Sequence, residues 1–160
     1  MDAASWQQFM TVLRRKQRAR IAAESALFCN GQRVGVLEAD FLALDASVGD
    51  LLREQDARVH AYCWMTNHLH LAVEMAPELI VAFQDELAGR YSLYRQHGPE
   101  PVGSVFAPPD PPFRVDADAY LLQLIRYIHL NPLRAGLVRD AADYRWSGHR
   151  AYLGHGGPPW

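Results

Sequence analysis

Residues His60–Glu74 read HAYCWMTNHLHLAVE, and this stretch decides the fold class. It is rich in aromatic and aliphatic residues and contains neither Gly nor Pro, which is typical of a mostly buried β-strand. Because alternate residues of a strand share a face, we predict that His68 and His70 lie opposite Leu69. Two imidazoles one pleat apart can converge on a metal ion or a phosphate. His-x-His pairs are also common without such a role, so the pair alone leaves both interpretations open.

The composition indicates an ordinary globular protein. The chain has 160 residues, of which 49% are hydrophobic and 21% charged, so we expect one domain over residues 1–153 and a frayed tail over 154–160. No apolar run approaches the roughly 20 residues that span a bilayer, and Met1 opens no signal-peptide pattern. Two cysteines do not indicate a disulfide framework, so we expect a cytoplasmic protein without a membrane partner. The formal charge of −2 argues against a globally basic nucleic-acid binder.

Apolar spacing and turn residues predict the order of elements along the chain. The first expected elements are a helix from Ser5 to Ala23, a hairpin over Ala26–Leu37 that turns at Asn30-Gly31, a helix capped by Asp40, and the His68 strand. They are followed by a helix from Pro77 to His97, whose predicted buried residues are Ile80, Phe83, Leu87, Tyr91 and Tyr94. A Pro-rich loop to Pro112 and a short strand over Phe113–Val115 then lead to a helix capped by Asp116, whose predicted core face is Leu121, Leu124, Ile125 and Ile128.

Arginine carries almost all of the positive charge, because Lys16 is the only lysine. Arginine suits bidentate phosphate contacts and stacking on bases. Solvated helix surfaces are the alternative interpretation of these side chains. The candidate nucleic-acid contacts are Arg14, Arg15, Arg18, Arg90, Arg95, Arg126 and Arg134.

Three short motifs occur in a characteristic order and separation. They are Asn67-His68-Leu69-His70, Arg126-Tyr-Ile-His-Leu-Asn-Pro132 and Tyr144-Arg-Trp-Ser147. Together they resemble the single-tyrosine HUH transposases, and in particular the REP-associated tyrosine transposases, which are related to the IS200-like transposases. The similarity extends from about Val59 to Val73 and from Asp116 to Leu153.

The resemblance implies an α+β fold, with an antiparallel sheet and flanking helices in the ferredoxin-like arrangement of HUH endonucleases. It implies that Tyr127 attacks a phosphodiester of single-stranded or hairpin DNA, forming a 5′-phosphotyrosine and releasing a 3′-hydroxyl. It also implies that His68, His70 and Asn131 hold Mg²⁺ or Mn²⁺. Members of the family act as monomers or as homodimers.

The residue chemistry is compatible with this scheme. A phenol with a pKa of about 10 is a poor nucleophile at neutral pH and needs nearby positive charge, which a metal ion supplies. Asn131 precedes Pro132, so it is either a ligand or the N-cap of a new helical turn ending at Gly136. His129 faces away from Tyr127, and we interpret it as structural. Cys63 would face away from His68 on one continuous strand, so we expect no role for it in a metal site.

Two segments differ from the family pattern. The family opens with a strand ending in an Arg-Gly-Asn-like turn, whereas the expected helix to Ala23 replaces it here and only Cys29–Arg33 is a possible remnant. An aromatic-Gln-Gly-Arg segment is replaced by Val105–Ala107 and the Pro-rich loop. Three functions therefore remain open: an active single-strand DNA endonuclease and strand transferase, a catalytically silent nucleic-acid-binding or regulatory relative, and a small metal-dependent hydrolase in which Tyr127 only positions substrate.

Overall fold

The structure is a computed structural model that describes residues 21–28, 37–98, 101, 105–107, 113–115, 118–158 and 160. Short 3₁₀ turns at Pro77–Leu79 and Ala141–Asp143 accompany the regular elements. Within the described ranges these elements are β1 (Ile21–Phe28), α1 (Glu38–Glu54), β2 (Arg58–Trp64), β3 (His68–Met75), α2 (Ile80–Gln96), β4 (Phe113–Val115), α3 (Asp118–Arg134) and α4 (His149–Tyr152).

The four strands form one antiparallel sheet in the order β2-β3-β1-β4. The chain order β1-α1-β2-β3-α2-β4 with this strand order is the ferredoxin-like arrangement. The predicted α+β class, the antiparallel sheet and the short strand Phe113–Val115 are therefore confirmed.

The stretch from His60 to Glu74 is a hairpin, not the single strand that its composition predicted. Met65–Asn67 form the turn, in which the Met65 amide donates to the His68 carbonyl at 2.8 Å. The turn changes which residues share a face. Cys63 pairs directly with His70 and lies on the same side of the sheet, so the expectation that Cys63 faces away from the histidines was wrong.

The N-terminal prediction also needs correction. β1 begins at Ile21, so the helix expected to run to Ala23 is wrong at its end, and its first part lies outside the described residues. Residues 26–28 belong to a strand that pairs with β3 on one side, while β4 pairs with residues 22–24 on the other. The opening strand that the family pattern requires is thus present. Its sequence, IAAESALF, contains five good helix formers, and pairing within the sheet overrides that local preference.

Helices α1 and α2 cover one face of the sheet. The main core lies there, and its most deeply buried side chains are Leu44, Leu51, Trp64, Leu69, Leu71, Phe83, Leu87 and Tyr91. Asp40 is the third residue of α1, and its carboxylate accepts from the Leu37 amide at 2.9 Å. It therefore caps the helix from the third position, not as the N-cap that was expected. On α2, Tyr94 is exposed and Arg95 is buried, which reverses the prediction for these two residues.

Helix α3 covers the opposite face, where Leu124 and Ile128 are buried against Ala61, Cys63 and Ala72. The helix continues through Pro132 to Arg134, so no new helical turn starts at Asn131, and the N-cap alternative was wrong. The end is set by Gly136, which has φ +69°. The Leu137 amide bonds to the Pro132 carbonyl and the Gly136 amide to the Leu133 carbonyl, which is the Schellman arrangement.

The C-terminal segment (residues 144–158 and 160) covers the free edge of β2. The Trp64 amide donates to the Trp146 carbonyl at 2.9 Å, and the Gly148 amide donates to the Tyr62 carbonyl at 3.0 Å. The Tyr144 hydroxyl donates to the Trp64 carbonyl at 2.7 Å. At the far end, the Trp160 ring packs 5.1 Å from the Tyr62 ring, so the expected fraying does not apply to this last residue.

His129 is buried between α3 and this segment. Its ring centroid lies 5.4 Å from that of His149 and 5.1 Å from that of Tyr152, and its Nε2 has no hydrogen-bond partner among the described residues. Burial, assisted by the neighbouring His149, lowers the pKa of His129 to about 4. The prediction of a structural histidine agrees with this packing.

Across the described residues, no helix combines the length and the apolar character needed to cross a membrane.

We expect Gly136→Ala and Gly89→Ala to change stability in opposite directions. A Cβ at either position meets nothing within 4 Å, but only Gly136 has a positive φ. Gly136→Ala should lower the free energy of unfolding by about 1 kcal/mol through left-handed strain. Gly89→Ala, in the middle of α2, should raise it by about 0.5–1 kcal/mol. Urea unfolding of both variants checks this, and equal shifts of the same sign would contradict the assignment of the α3 terminus.

We expect His129 to make folding stability fall with acidity. Its folded-state pKa is about 4, below the unfolded value of about 6.5. As the pH falls from about 6.5 to about 4, the unfolded chain therefore binds a proton at His129 and the folded chain does not. Between pH 7.5 and pH 5 the loss should be about 2 kcal/mol, and His129→Gln should abolish that part of the pH dependence. Urea titrations in chelator measure it, with the exposed His155→Gln as control, and an unchanged pH dependence in His129→Gln would refute it.

Candidate active site

The side chains of His68, His70 and Tyr127 meet where α3 crosses β3. The ring centroids of His68 and His70 are 4.9 Å apart, with the planes at 90°. The centroids of His70 and Tyr127 are 5.6 Å apart, with the planes at 83°. His70 is buried, whereas Tyr127 keeps 41% of its surface exposed. The structure thus brings together a buried imidazole, a half-buried one and a phenol that solvent reaches.

The environment of His68 favours a neutral ring. Its pKa is lowered, first by burial and then by the nearby His70. His68 Nδ1 lies 2.7 Å from Asn67 Oδ1. Because an amide oxygen only accepts, Nδ1 carries the proton and the lone pair is on Nε2. A neutral imidazole with one nitrogen oriented by a neighbouring oxygen is the usual form of a metal-binding histidine.

Helix α3 supplies a second row of polar side chains, since Tyr127, Asn131 and Arg134 follow one another at helical spacing along one side. The Asn131 amide group donates from Nδ2 to the Tyr127 carbonyl at 3.1 Å. This bond leaves the Asn131 side-chain oxygen to contact other groups. Arg134 places its Cζ 5.2 Å from the centre of the Tyr127 ring.

The donor chemistry of this site is compatible with a divalent cation. Two imidazoles and an amide oxygen are ligands that Mn²⁺ accepts well, and they leave coordination positions for water and substrate. No group of three or more His, Cys, Asp or Glu side chains suited to a metal ion occurs in the described part of the chain. Cys63 is near His70 but is buried, which raises the pKa of its thiol to about 12. The thiol of Cys63 is therefore protonated at neutral pH.

The candidate DNA-contacting arginines fall into three groups. Arg126 and Arg134 are exposed on α3, the helix that carries Tyr127. Arg90 is held by Glu54 and Glu86, and Arg95 is buried beside Asp40 with 3.9 Å between the charged atoms. Both side chains are thus paired with carboxylates, and a DNA contact by either one stays a prediction. The remaining three candidates, Arg14, Arg15 and Arg18, lie outside the described residues.

Sequence reasoning missed two neighbours of the site. Asn67 belongs to a recognised motif, yet only the hairpin turn shows that its side chain orients His68. Arg134 was expected to contact DNA, whereas the structure places it over the Tyr127 ring. The sequence signal for this contact was that Arg134 follows Tyr127 by seven residues, which is about two helical turns.

No protein-family model matches the chain, and no curated protein matches its sequence. Among solved structures, that of a REP-associated tyrosine transposase bound to a REP hairpin matches the fold with a TM-score of 0.68. The match covers 89% of this chain and 84% of that chain, at 15% sequence identity. The chain therefore adopts the fold of a REP-associated tyrosine transposase, as its three motifs predicted.

Proposed function

We propose that this protein is a metal-dependent endonuclease and strand transferase that acts on hairpin-bearing single-stranded DNA. The observation that carries the proposal is the contact between Tyr127 and His70, with His68 beside them. The fold adds support, because one solved structure that shares it is that of a REP-associated tyrosine transposase bound to a REP hairpin.

Tyr127 is the proposed nucleophile. It lies on a helix whose inner face is fixed by Leu124 and Ile128, yet 41% of its surface is open to solvent and to a DNA strand. Its hydroxyl oxygen forms a bond to the scissile phosphorus, and the bond from phosphorus to the 3′-oxygen breaks. The phenol proton passes to solvent, the 3′-oxygen takes up a proton from water, and the 5′ end remains on Tyr127. Attack by the released 3′-hydroxyl or by another one reverses the step and joins strands.

His68, His70 and Asn131 would hold the Mg²⁺ or Mn²⁺ ion. When bound, the ion polarises the phosphate and withdraws charge as the phosphorane develops. The protein's part is to present a neutral His68, oriented by Asn67, and the Asn131 oxygen. Because His70 is buried and packed against Tyr127, it also ties the position of the nucleophile to the sheet.

The exposed side of α3 is the proposed DNA-contacting surface. Arg126 and Arg134 flank the Tyr127-to-Asn131 turn, and both residues are exposed. Their positive charge can attract phosphate groups at this surface even though the whole chain has a formal charge of −2. Phosphate contacts from such arginines should make affinity fall as salt rises.

Tyr127→Phe should abolish covalent attachment to DNA, because phenylalanine has no nucleophilic oxygen. The assay incubates the purified protein with end-labelled single-stranded hairpin DNA from beside its own gene, with Mn²⁺, Mg²⁺ or chelator, and resolves adducts on denaturing gels. Tyr120→Phe is the matched control, since Tyr120 is another exposed tyrosine on α3. It should keep the adduct.

The same assay separates the three functions. An adduct in Tyr127→Phe would refute the nucleophile assignment. Cleavage without any adduct, retained in Tyr127→Phe, would indicate a metal-dependent hydrolase. Binding by the wild-type protein without cleavage would indicate a catalytically silent relative.

His68→Ala should lower the metal-dependent rate of adduct formation on the order of 100-fold, because it removes one of two imidazoles from the proposed ion. The fold should persist, since His68 is only half-buried at a strand end. The measurement is the adduct rate as a function of Mn²⁺ concentration, with circular dichroism as a folding check. His97→Ala, at the exposed end of α2, is the control. An unchanged response to Mn²⁺ in His68→Ala would refute the metal site.

A further inference from the structure

We infer that Arg134 is a positioning residue that holds the Tyr127 ring in the orientation needed for attack. This role rests on the proposed function of Tyr127 and goes beyond the general expectation that Arg134 contacts DNA. It concerns the geometry of the nucleophile before DNA arrives.

The contact is a cation over an aromatic face. The Arg134 guanidinium carbon lies 5.2 Å from the centre of the Tyr127 ring, within the range in which such pairs attract. Seven residues are about two helical turns, so both side chains leave α3 on the same side. Side chains of a helix lean towards its N-terminus, so Arg134 reaches back over the ring of Tyr127.

A second contact restricts the same ring from another element. His70 of β3 meets Tyr127 at a centroid distance of 5.6 Å and an angle of 83°. An exposed tyrosine would otherwise sample several rotamers on a helix surface. Here one neighbour is fixed in the sheet and the other on the tyrosine's own helix, and together they select one orientation.

Arg134 differs in its charge environment from three other described arginines. Arg53, Arg90 and Arg145 each pair with a carboxylate. Arg134 forms no ion pair with the residues that the structure describes, and its charge is directed to the Tyr127 ring. A guanidinium is planar and suited to stacking on aromatic faces, so lysine should replace it only in part.

The end of α3 fixes where Arg134 lies. Arg134 is the last residue of the helix, and Gly136, with φ +69°, ends the helical conformation. The Ala135 amide still bonds to the Asn131 carbonyl at 2.9 Å, so the backbone around Arg134 stays ordered through the helix end. The turn at Gly136 therefore supports the arginine as well as the helix.

The test compares Arg134→Gln and Arg134→Lys with Arg53→Gln, which removes one exposed arginine charge on α1, the helix that covers the opposite face of the sheet. The first measurement needs neither DNA nor metal: 3-fluorotyrosine is placed at Tyr127 in the full-length chain, and its ¹⁹F resonance is recorded. Arg134→Gln should shift and narrow the resonance as the ring gains freedom, Arg134→Lys should give an intermediate position, and Arg53→Gln should leave it unchanged.

The second measurement is the single-turnover rate of adduct formation on hairpin DNA. An exposed contact of this type corresponds to about a two- to fivefold change in population. Arg134→Gln should lower the rate at saturating DNA by about that factor, in addition to any rise in the half-saturating DNA concentration from the lost phosphate contact. Arg134→Lys should recover part of the rate.

The outcomes distinguish this inference from the proposed function. An unchanged ¹⁹F resonance in Arg134→Gln would overturn the positioning role, even if cleavage proceeds normally. A loss confined to the half-saturating concentration would overturn it too, and would make Arg134 a DNA contact only. If no variant and no wild-type protein forms an adduct, the proposed function fails, while a shifted resonance would still establish the contact between the two side chains.

Discussion

The pairing of β2 with β3 is the constraint on which the rest of the structure depends. The turn at Met65–Asn67 sets the register, and with it the side of the sheet that each residue faces. In this register Leu69 and Leu71 enter the main core, while His70 lies on the face covered by α3. A slip of one residue would exchange the two faces and bury the imidazoles in the apolar core. The hairpin therefore determines both the stability of the sheet and the presence of the site.

The site lies between strand β3 and helix α3. Helix α3 is anchored by Leu124 and Ile128 on its inner side, and its outer side carries Tyr127 and Asn131. A helix has a fixed relation between these two sides, so burying one positions the other. The C-terminal segment adds a second restraint, because it binds the edge of β2 and packs against His129 on the same helix.

The charge of the polar side chains around α3 depends on how deeply each is buried and on its partners. Burial lowers the pKa of both His68 and His129 and so favours their neutral forms. His68 faces the site, whereas His129 faces the C-terminal segment. Carboxylates pair with Arg90 and Arg95, whereas Arg126 and Arg134 on α3 are exposed. Exposure and pairing, not sequence position, thus separate the useful cations from the structural ones.

The sequence by itself determined the two histidines on one strand face, the core face of the Tyr127 helix, the strand Phe113–Val115 and the resemblance that predicted the fold. These features follow from local periodicity and from motifs of fixed spacing. Only the tertiary structure decided the hairpin within residues 60–74, the strand at Ile21–Phe28, the burial of Arg95 and the place of Arg134 over Tyr127. Each of these depends on a partner distant in sequence or on a side-chain direction, and local propensity is too weak to specify either.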